Sequence, residues 1–259
     1  MGELTAIVAR ACALILGVAP EGAHRLKADR SPVTAADEAS EAEILKGLAR
    51  LMPAVPVVSE EMSARQAPPT IDGSFVLVDP LDGTREFIGG RDEYTVNVAI
   101  VTRGTPIAGI VAAPKLRKLW RGVLGEGAAR LRLLADGADQ PQPIHARRWP
   151  PYNGVALVSR SHLDPATEAF VAKLGPVKRE QSGSAIKFCR VAEGSADVYP
   201  RLGTTCEWDV AAGHAVVVAA GGAVADPQGA PIKFGNAAGN FRIPAFIAWG
   251  DPEKARAMS

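Results

Sequence analysis

The chain has 259 residues, of which 47% are hydrophobic and 22% are charged. This length and composition suit one large globular domain or two tightly joined halves, and they exclude a disordered chain. The formal net charge of +1 gives no sign of a nucleic-acid-binding surface, while a small anionic substrate stays compatible with it.

The apolar N-terminal segment predicts a buried helix from Glu3 to Val18. Its apolar run, Leu4 to Ala19, contains Arg10 and is shorter than the roughly 20 apolar residues that cross a bilayer. The acidic Glu3 also stands where a signal peptide carries basic residues. We therefore expect no integral membrane segment. Peripheral attachment of this helix to the inner face of the cell membrane is a weaker alternative, since the helix lacks a basic face.

Thr34 starts a second predicted helix that ends near Met52. Thr34 is a good N-cap, and Asp37 follows three residues later as the acid of a capping box. Short strands should follow and then three antiparallel strands, so the first half is expected to place two helices on a mostly antiparallel sheet. These predicted strands cover residues 55–58, 75–79, 94–102, 107–113 and 118–123.

The second half shows alternating strand and helix patterns, which favour an α/β layer arrangement. A stretch rich in proline and polar residues, 136–151, is interpreted as the connection between the halves. The fold class expected is a layered α+β and α/β sandwich. Its two halves, 1–135 and 152–259, should form one compact unit. The predicted elements are strands at 155–158 and 196–199 and helices at 165–174, 184–193 and 209–220.

Acidic residues stand where apolar strands end or where a helix begins. They are Glu60-Glu61 after one strand, Asp79 and Asp82 after the next, and Asp209 at the start of the last predicted helix. Carboxylates that meet at one edge raise each other's pKa, and a bound cation removes that cost. Oxygen ligands of this kind suit magnesium.

Gly83 and Thr84 follow the second acidic pair where the chain should enter a helix. Free backbone N–H groups at a helix start bind phosphate, and a glycine lets the backbone approach closely. Each motif also has an ordinary structural explanation. Asp-Gly forms turns, Asp209 could cap its helix, and Glu60-Glu61 could be solvated loop charge. The motifs together, in this order, favour a phosphate site with bound metal.

The sequence resembles the inositol monophosphatase superfamily over nearly its whole length, from about Lys27 to Gly229. Within that superfamily it is most similar to the bacterial 3′(2′),5′-bisphosphate nucleotidases of the CysQ type. The segments that carry the resemblance are 31–37, 60–61, 79–87, 159–162, 183–189, 199–201 and 208–213. The resemblance implies the αβαβα sugar-phosphatase fold and a cytoplasmic, magnesium-dependent phosphatase. It also implies two or three bound ions and inhibition by lithium.

Residue roles follow from the same resemblance. Magnesium ligands would be Glu60, Asp79, Asp82, Asp209 and the Leu81 carbonyl. The catalytic residues would be Asp37, Glu60 and Thr84, with Asp37 paired to the Thr84 hydroxyl. The Gly83 and Thr84 amides would hold the phosphate. The nucleotide would contact His162, Ser184, Lys187 and Arg201, although surface solvation is the ordinary explanation for a lysine or arginine.

The function expected is hydrolysis of adenosine 3′(2′),5′-bisphosphate to AMP and phosphate, which would recycle a by-product of sulfate assimilation. An inositol or sugar monophosphatase is the alternative with the same acids. Arg85-Glu86-Phe87 and the segments around His162 and Lys187 favour the nucleotidase. A metal-binding regulatory protein with a decayed site is disfavoured because every expected acid is present. Monomer and homodimer both stay open.

Three cysteines, Cys12, Cys189 and Cys206, form no pairing pattern, which indicates reduced thiols and a cytoplasmic location. No Cys/His spacing indicates a zinc site. Cys189 is expected to fill the core. Cys206 lies near Asp209 in the sequence, so its oxidation is predicted to impair activity.

Overall fold

A computed structural model describes residues 1–20, 24–26, 32–67, 69–161 and 163–258. The helices are α1 Gly2–Leu16, α2 Ala35–Leu51, α3 Glu60–Ser63, α4 Thr84–Ile88, α5 Pro165–Lys173, α6 Ile186–Ala192, α7 Glu207–Ala219 and α8 Pro252–Met258. The strands are β1 His24–Leu26, β2 Pro32–Thr34, β3 Val57–Ser59, β4 Ser74–Asp82, β5 Thr95–Thr102, β6 Thr105–Ala113, β7 Lys118–Val123, β8 Gly127–Leu133, β9 Ala138–Ile144, β10 Gly154–Ser159, β11 Val177–Ser182, β12 Val198–Arg201, β13 Thr205–Cys206, β14 Ala223–Ala225, β15 Arg242–Ile243 and β16 Phe246–Trp249.

The first half forms a seven-stranded sheet in the order β3-β4-β5-β6-β7-β8-β9. All neighbours in it are antiparallel except the parallel pair β3 and β4. One face packs with α1 and α2 in a core that includes Ile7, Ile44 and Val78. The antiparallel sheet predicted for the first half is confirmed.

The second half forms a five-stranded mixed sheet in the order β11-β10-β12-β16-β14. Its inner face, α6 and α7 share one core with the first sheet, and Leu77, Phe188 and Phe246 belong to it. Its outer face packs with α5 and α8 through Val171 and Ala255. The layers therefore run helix, sheet, helix, sheet, helix, which confirms the layered fold class.

The central layer depends on glycines in the first sheet. A Cβ at Gly109 of β6 would lie 2.4 Å from the Ala212 carbonyl oxygen, and one at Gly122 of β7 would lie 2.8 Å from the Val216 Cα. Without side chains at these points, the backbone of α7 can lie directly on the strands. The sheet thereby fixes the position of α7.

Most apolar residues of α1 face the interior, while Leu14 and Leu16 near its end are exposed. Leu4, Val8, Cys12 and Ile15 are each at most 3% exposed, and α1 packs against α2 and the first sheet. These side chains are not available to a membrane surface, so the peripheral attachment considered above has no support. Within the described ranges, every helix is too short or too polar to span a bilayer.

The predicted start of the second helix is confirmed. The Thr34 side chain accepts a hydrogen bond from the Ala36 amide (3.1 Å), and the Asp37 carboxylate accepts one from the Thr34 amide (2.8 Å). This capping box satisfies backbone donors that a helix start otherwise leaves unpaired. It also fixes the direction of the Asp37 carboxylate.

The segment predicted as a connection, 136–151, is partly a strand. β9 pairs with β8 at the edge of the first sheet, and Ala129 lies opposite Pro143. The first sheet therefore continues beyond residue 135. Proline lacks an N–H donor, and an edge strand tolerates it because one side of the strand needs no partner. For this reason Pro141 and Pro143 did not prevent a strand.

Candidate active site

The predicted acids line one cleft between the two sheets. Its walls include Glu60, Asp79, Asp82 and Asp209, together with Leu81, Gly83 and Thr84. The parallel pairing of β3 with β4 brings two of them together, because Ser59 lies opposite Val78 and the next residues are Glu60 and Asp79. Carboxylates that are far apart in the sequence therefore share one site.

Asp82 lies where β4 departs from regular pairing. The register with β5 shifts between Asp79 and Asp82, and this irregularity turns the chain toward the cleft. The carboxylate oxygen Oδ2 of Asp82 accepts hydrogen bonds from the Asn97 amide (3.3 Å) and the Thr95 hydroxyl (3.4 Å). Two side chains of β5 thus orient this carboxylate.

Burial has the largest effect on the pKa of Asp82. Burial and the neighbouring Asp209 carboxylate raise the pKa of Asp82 to about 6, although Lys187 and Arg201 act in the opposite direction. Asp82 is half-buried, and the cost of ionising a half-buried carboxylate beside a second one would be lowered by a bound cation.

The donor set fits magnesium. Asp79 is 1% exposed, and its Oδ1 accepts the Leu81 amide at 3.1 Å. The carboxylates and the Leu81 carbonyl supply only hard oxygen donors, which magnesium prefers. No three acidic, histidine or cysteine side chains of the described ranges form a closed metal-binding cluster. The fit therefore rests on donor chemistry and on the raised pKa of Asp82.

Asp37 and Thr84 form the expected pair. The Thr84 hydroxyl lies 3.0 Å from Asp37 Oδ1 and 3.2 Å from the Leu81 carbonyl oxygen, so it can donate to either. Asp37 is 1% exposed, and its other oxygen is held by the Thr34 amide and hydroxyl. This places an oriented hydroxyl at the start of α4. Its catalytic role stays a prediction.

Asp209 has a structural role as well as a place in the cleft. It is the third residue of α7, which begins at Glu207 rather than at Asp209 as predicted. Its Oδ2 accepts the Cys206 amide (3.0 Å) and the Thr205 hydroxyl. The N-cap is Cys206, so Asp209 is not the N-cap considered above but the third-position acid of a capping box, and these bonds aim its carboxylate along the cleft wall.

Lys187 is buried, with 2% of its surface exposed, so surface solvation does not explain it. Its Nζ donates to the carbonyls of Ser182 (3.2 Å) and Ser184 (2.6 Å) and lies 5.0 Å from the Tyr199 ring centroid. Burial lowers the pKa of Lys187 to about 8, although Asp82 acts to raise it.

Ser184 and Arg201 line the same cleft. Ser184 has a left-handed backbone (φ 45°), and its Oγ is a buried atom without a partner in the part of the chain that the structure describes. Burial would lower the pKa of Arg201, but Tyr199 and Asp209 outweigh it and raise that pKa. His162, the remaining predicted contact, lies outside the described residues.

Sequence reasoning missed several residues of the site. Tyr199 is 2% exposed, lines the cleft beneath Lys187, and has its pKa raised by burial to about 12. It belongs to the segment 199–201 that resembles the family, but the resemblance assigns it no role. Asn97, which orients Asp82, carried no local signal because it lies within an apolar strand. Both gain their roles from contacts between distant segments.

The three cysteines are free thiols. Cys189 is fully buried in the central core, as expected. Cys206 lines the cleft, and burial together with Asp209 raises its pKa to about 12. A thiol with such a pKa reacts slowly with oxidants, which disfavours the predicted sensitivity to oxidation.

Comparisons with known proteins agree with one another. The family model described as "Inositol monophosphatase family" matches residues 3–249. The 3′(2′),5′-bisphosphate nucleotidase CysQ of Escherichia coli (strain K12) is 43% identical over 208 residues, covering 80% of this chain and 81% of that protein. The protein of the same name from Shigella flexneri is 41% identical over 211 residues, with the same coverage of both chains.

Two solved structures extend the comparison. CysQ from Bacteroides thetaiotaomicron, a bacterial member of the inositol monophosphatase family, has a TM-score of 0.78 at 34% identity and covers 95% of this chain and 96% of its own. An inositol monophosphatase from Anabaena (Nostoc) sp. PCC 7120 has a TM-score of 0.76 at 25% identity, with coverages of 98% and 93%.

Proposed function

Since the chain belongs to the inositol monophosphatase family, we propose that it is a magnesium-dependent phosphatase that hydrolyses adenosine 3′(2′),5′-bisphosphate to AMP and phosphate. The observation that carries the proposal is the cleft that gathers the four predicted acidic ligands, Thr84 and two buried or half-buried cations. Similarity to curated nucleotidases over 80% of the chain supports the substrate. The free thiols support a cytoplasmic location.

The acids would hold two or three magnesium ions, and lithium would inhibit by competing at the same oxygens. The ligands would be Glu60, Asp79, Asp82, Asp209 and the Leu81 carbonyl, all of which line the cleft. When bound, magnesium neutralises phosphate charge and makes the attacking water more acidic. The remaining chemistry is positioning and electrostatics, for which no covalent enzyme intermediate is needed.

Asp37, Thr84 and Glu60 orient the attacking water. Asp37 is a hydrogen-bond acceptor when ionised, so the Thr84 hydroxyl donates to it. The lone pairs of Thr84 Oγ1 are then left to accept a hydrogen bond from the attacking water. Glu60, which begins α3 and also lines the cleft, would accept the second hydrogen bond of the same water. This arrangement directs the water oxygen toward phosphorus.

Gly83 and Thr84 hold the phosphate. Gly83 has a left-handed backbone (φ 94°) that a side chain would strain, and α4 begins directly after it. This turn leaves the amides of Gly83 and Thr84 at the floor of the cleft, where they can donate to phosphate oxygens. The turn also places Thr84 beside Asp37.

Lys187, Arg201 and Ser184 form the wall for the rest of the nucleotide, with His162 assigned by resemblance. Two of the three Lys187 donors are used by carbonyl oxygens, which leaves one for the phosphate that is not cleaved. Arg201 can bind the same phosphate with two N–H groups. The unpartnered Ser184 hydroxyl is suited to a ribose or phosphate oxygen.

Turnover of two substrates tests the proposal. Adenosine 3′,5′-bisphosphate should release phosphate in the presence of magnesium, and excess EDTA should abolish the reaction. Inositol 1-phosphate should be a far poorer substrate, because it has no second phosphate for Lys187 and Arg201. Faster turnover of inositol 1-phosphate would instead support the inositol monophosphatase alternative.

A further inference from the structure

Two carboxylates of the first half meet donors of the second half at one rim of the cleft. Glu86 on α4 is 6% exposed, and its Oε1 accepts the Ser161 hydroxyl at 2.6 Å. Glu93, which stands two residues before β5, forms an ion pair with Arg160. Ser161 and Arg160 both belong to the turn that follows β10.

Glu93 also holds the turn that follows β11. Burial would raise the pKa of Glu93, but Arg160, the Ser182 hydroxyl and the Gly183 amide hold it below its usual range. The backbone contact is close, because a Cβ at Gly183 would lie 2.7 Å from the Glu93 carbonyl oxygen. One acidic residue therefore contacts both turns of the second sheet that face α4.

These two turns are joined to the nucleotide wall. The Ser182 carbonyl accepts the Arg160 amide (3.3 Å) and the Lys187 amine (3.2 Å). Ser184, directly after Gly183, has a left-handed backbone, and its carbonyl oxygen accepts a hydrogen bond from the Lys187 amine at 2.6 Å. A left-handed serine is a strained conformation that needs support from its surroundings. The Glu93 contacts supply that support.

We propose that Glu93 is a positioning residue that holds the Gly183–Ser184 turn and Arg160 against the phosphate-binding turn of Gly83 and Thr84. In this way Glu93 sets the affinity for the nucleotide. Glu93 does not line the catalytic cleft, so it acts through Ser184 and Lys187 rather than on substrate. The substrate part of this inference rests on the proposed function. The structural part, that Glu93 fixes the turn, does not depend on the proposed function.

Two variants test the inference. Glu93→Ala removes both the charge and the hydrogen-bond acceptor, whereas Glu93→Gln keeps an acceptor for Ser182 and Gly183 but loses the ion pair. Glu126→Ala, at an exposed turn between β7 and β8, is the matched control. Hydrogen–deuterium exchange of residues 182–188 is measured on the substrate-free protein, and KM and kcat are measured with adenosine 3′,5′-bisphosphate.

We expect Glu93→Ala to speed exchange in 182–188 and to raise KM about tenfold, the effect of losing a hydrogen bond to a charged group. The value of kcat should stay within about threefold of wild type, because the acids and Thr84 are untouched. For Glu93→Gln, the exchange rate in 182–188 and the KM should both lie between those of Glu93→Ala and wild type. The control should match wild type in both measurements.

Two results would overturn the inference. Unchanged exchange in Glu93→Ala would show that Glu93 does not hold the turn, whatever the substrate is. A fall in kcat with KM unchanged would show that Glu93 serves the chemical step instead. Failure of the wild-type enzyme to hydrolyse the bisphosphate would contradict the proposed function, and the exchange measurement would still decide the positioning role.

Discussion

His214 is a buried histidine that the proposed chemistry does not use. It lies in α7 with 8% of its surface exposed, and its Nδ1 has no hydrogen-bond partner within the described ranges. Its ring packs edge-on against Phe234, with centroids 5.5 Å apart. Burial lowers the pKa of His214 to about 4, so the folded protein keeps this imidazole neutral.

This histidine should make the protein sensitive to acid. The unfolded chain binds a proton at His214 near pH 6.5, whereas the folded chain does so only near pH 4. Lowering the pH between these values therefore favours unfolding. We expect His214 to account for about 2 kcal/mol of stability lost between pH 7 and pH 5.

Urea unfolding at pH 7 and pH 5 measures this loss. His214→Leu and His214→Gln should each lose about 2 kcal/mol less than wild type over that interval. His145→Asn, at an exposed position, should behave as wild type. An equal loss in wild type and both His214 variants would show that this residue does not control acid stability.

At the scale of elements, α7 is the helix on which both the fold and the site depend. It carries Asp209 and lies directly on β6, where Gly109 meets the Ala212 carbonyl. A close helix–sheet contact leaves little room for a methyl group. Any shift of α7 at this point also moves Asp209, which is less than one helical turn away.

Gly109→Ala should therefore reduce both stability and activity. We expect a loss of about 2–3 kcal/mol in unfolding free energy, the size typical of an overpacked core, together with a lower kcat. Gly137→Ala is the matched control because a Cβ there has no atom within 4 Å. Chemical denaturation compares the two variants. Equal stabilities would mean that α7 moves away from the sheet without cost.

The elements that the sequence predicts are those encoded by local signals. The Thr34–Asp37 capping box, the apolar α1 and the acidic turn from Asp79 to Thr84 each need only a few neighbouring residues. Some strands of the second sheet carry no local signal of this kind. β11 reads Val-Lys-Arg-Glu-Gln-Ser, which has no apolar alternation, and it forms a strand because β10 lies beside it.

The same distinction applies to the candidate site. The acids, Gly83 and Thr84 could be predicted because strand ends and turns mark them in the sequence. Asn97, Tyr199 and Glu93 could not, because each acts on a residue brought near only by folding. Asn97 is an ordinary strand residue until the pairing of β4 with β5 places it beside Asp82.

On the scale of the whole molecule, bound magnesium would connect the first sheet to the central helix α7. Asp79 and Asp82 belong to the first sheet, and Asp209 belongs to the helix between the sheets. A ligand that binds only the folded state stabilises it according to its concentration and affinity. Magnesium should therefore stabilise the entire fold and not only the cleft.

We expect magnesium to raise the Tm of metal-free protein by roughly 5–10 °C at about a hundred times its dissociation constant. Asp82→Asn should abolish most of this rise and lower kcat/KM by more than about a hundredfold, since even outer partners of metal ligands cost 10–100-fold. Asp72→Asn, at an exposed position before β4, should retain both the rise in Tm and the wild-type kcat/KM. An undiminished rise in Asp82→Asn would remove Asp82 from the metal site.

The order of strands in the second sheet has a consequence for biosynthesis. β16 lies near the end of the sequence, yet it occupies the place between β12 and β14, and Arg201 is in register with Phe246. A ribosome must therefore translate as far as Trp249 before this sheet can close around Arg201. The first sheet can assemble while the nascent chain is still growing, but its apolar inner face then remains exposed to solvent. Chaperones that bind apolar surface are expected to bind this face during that interval.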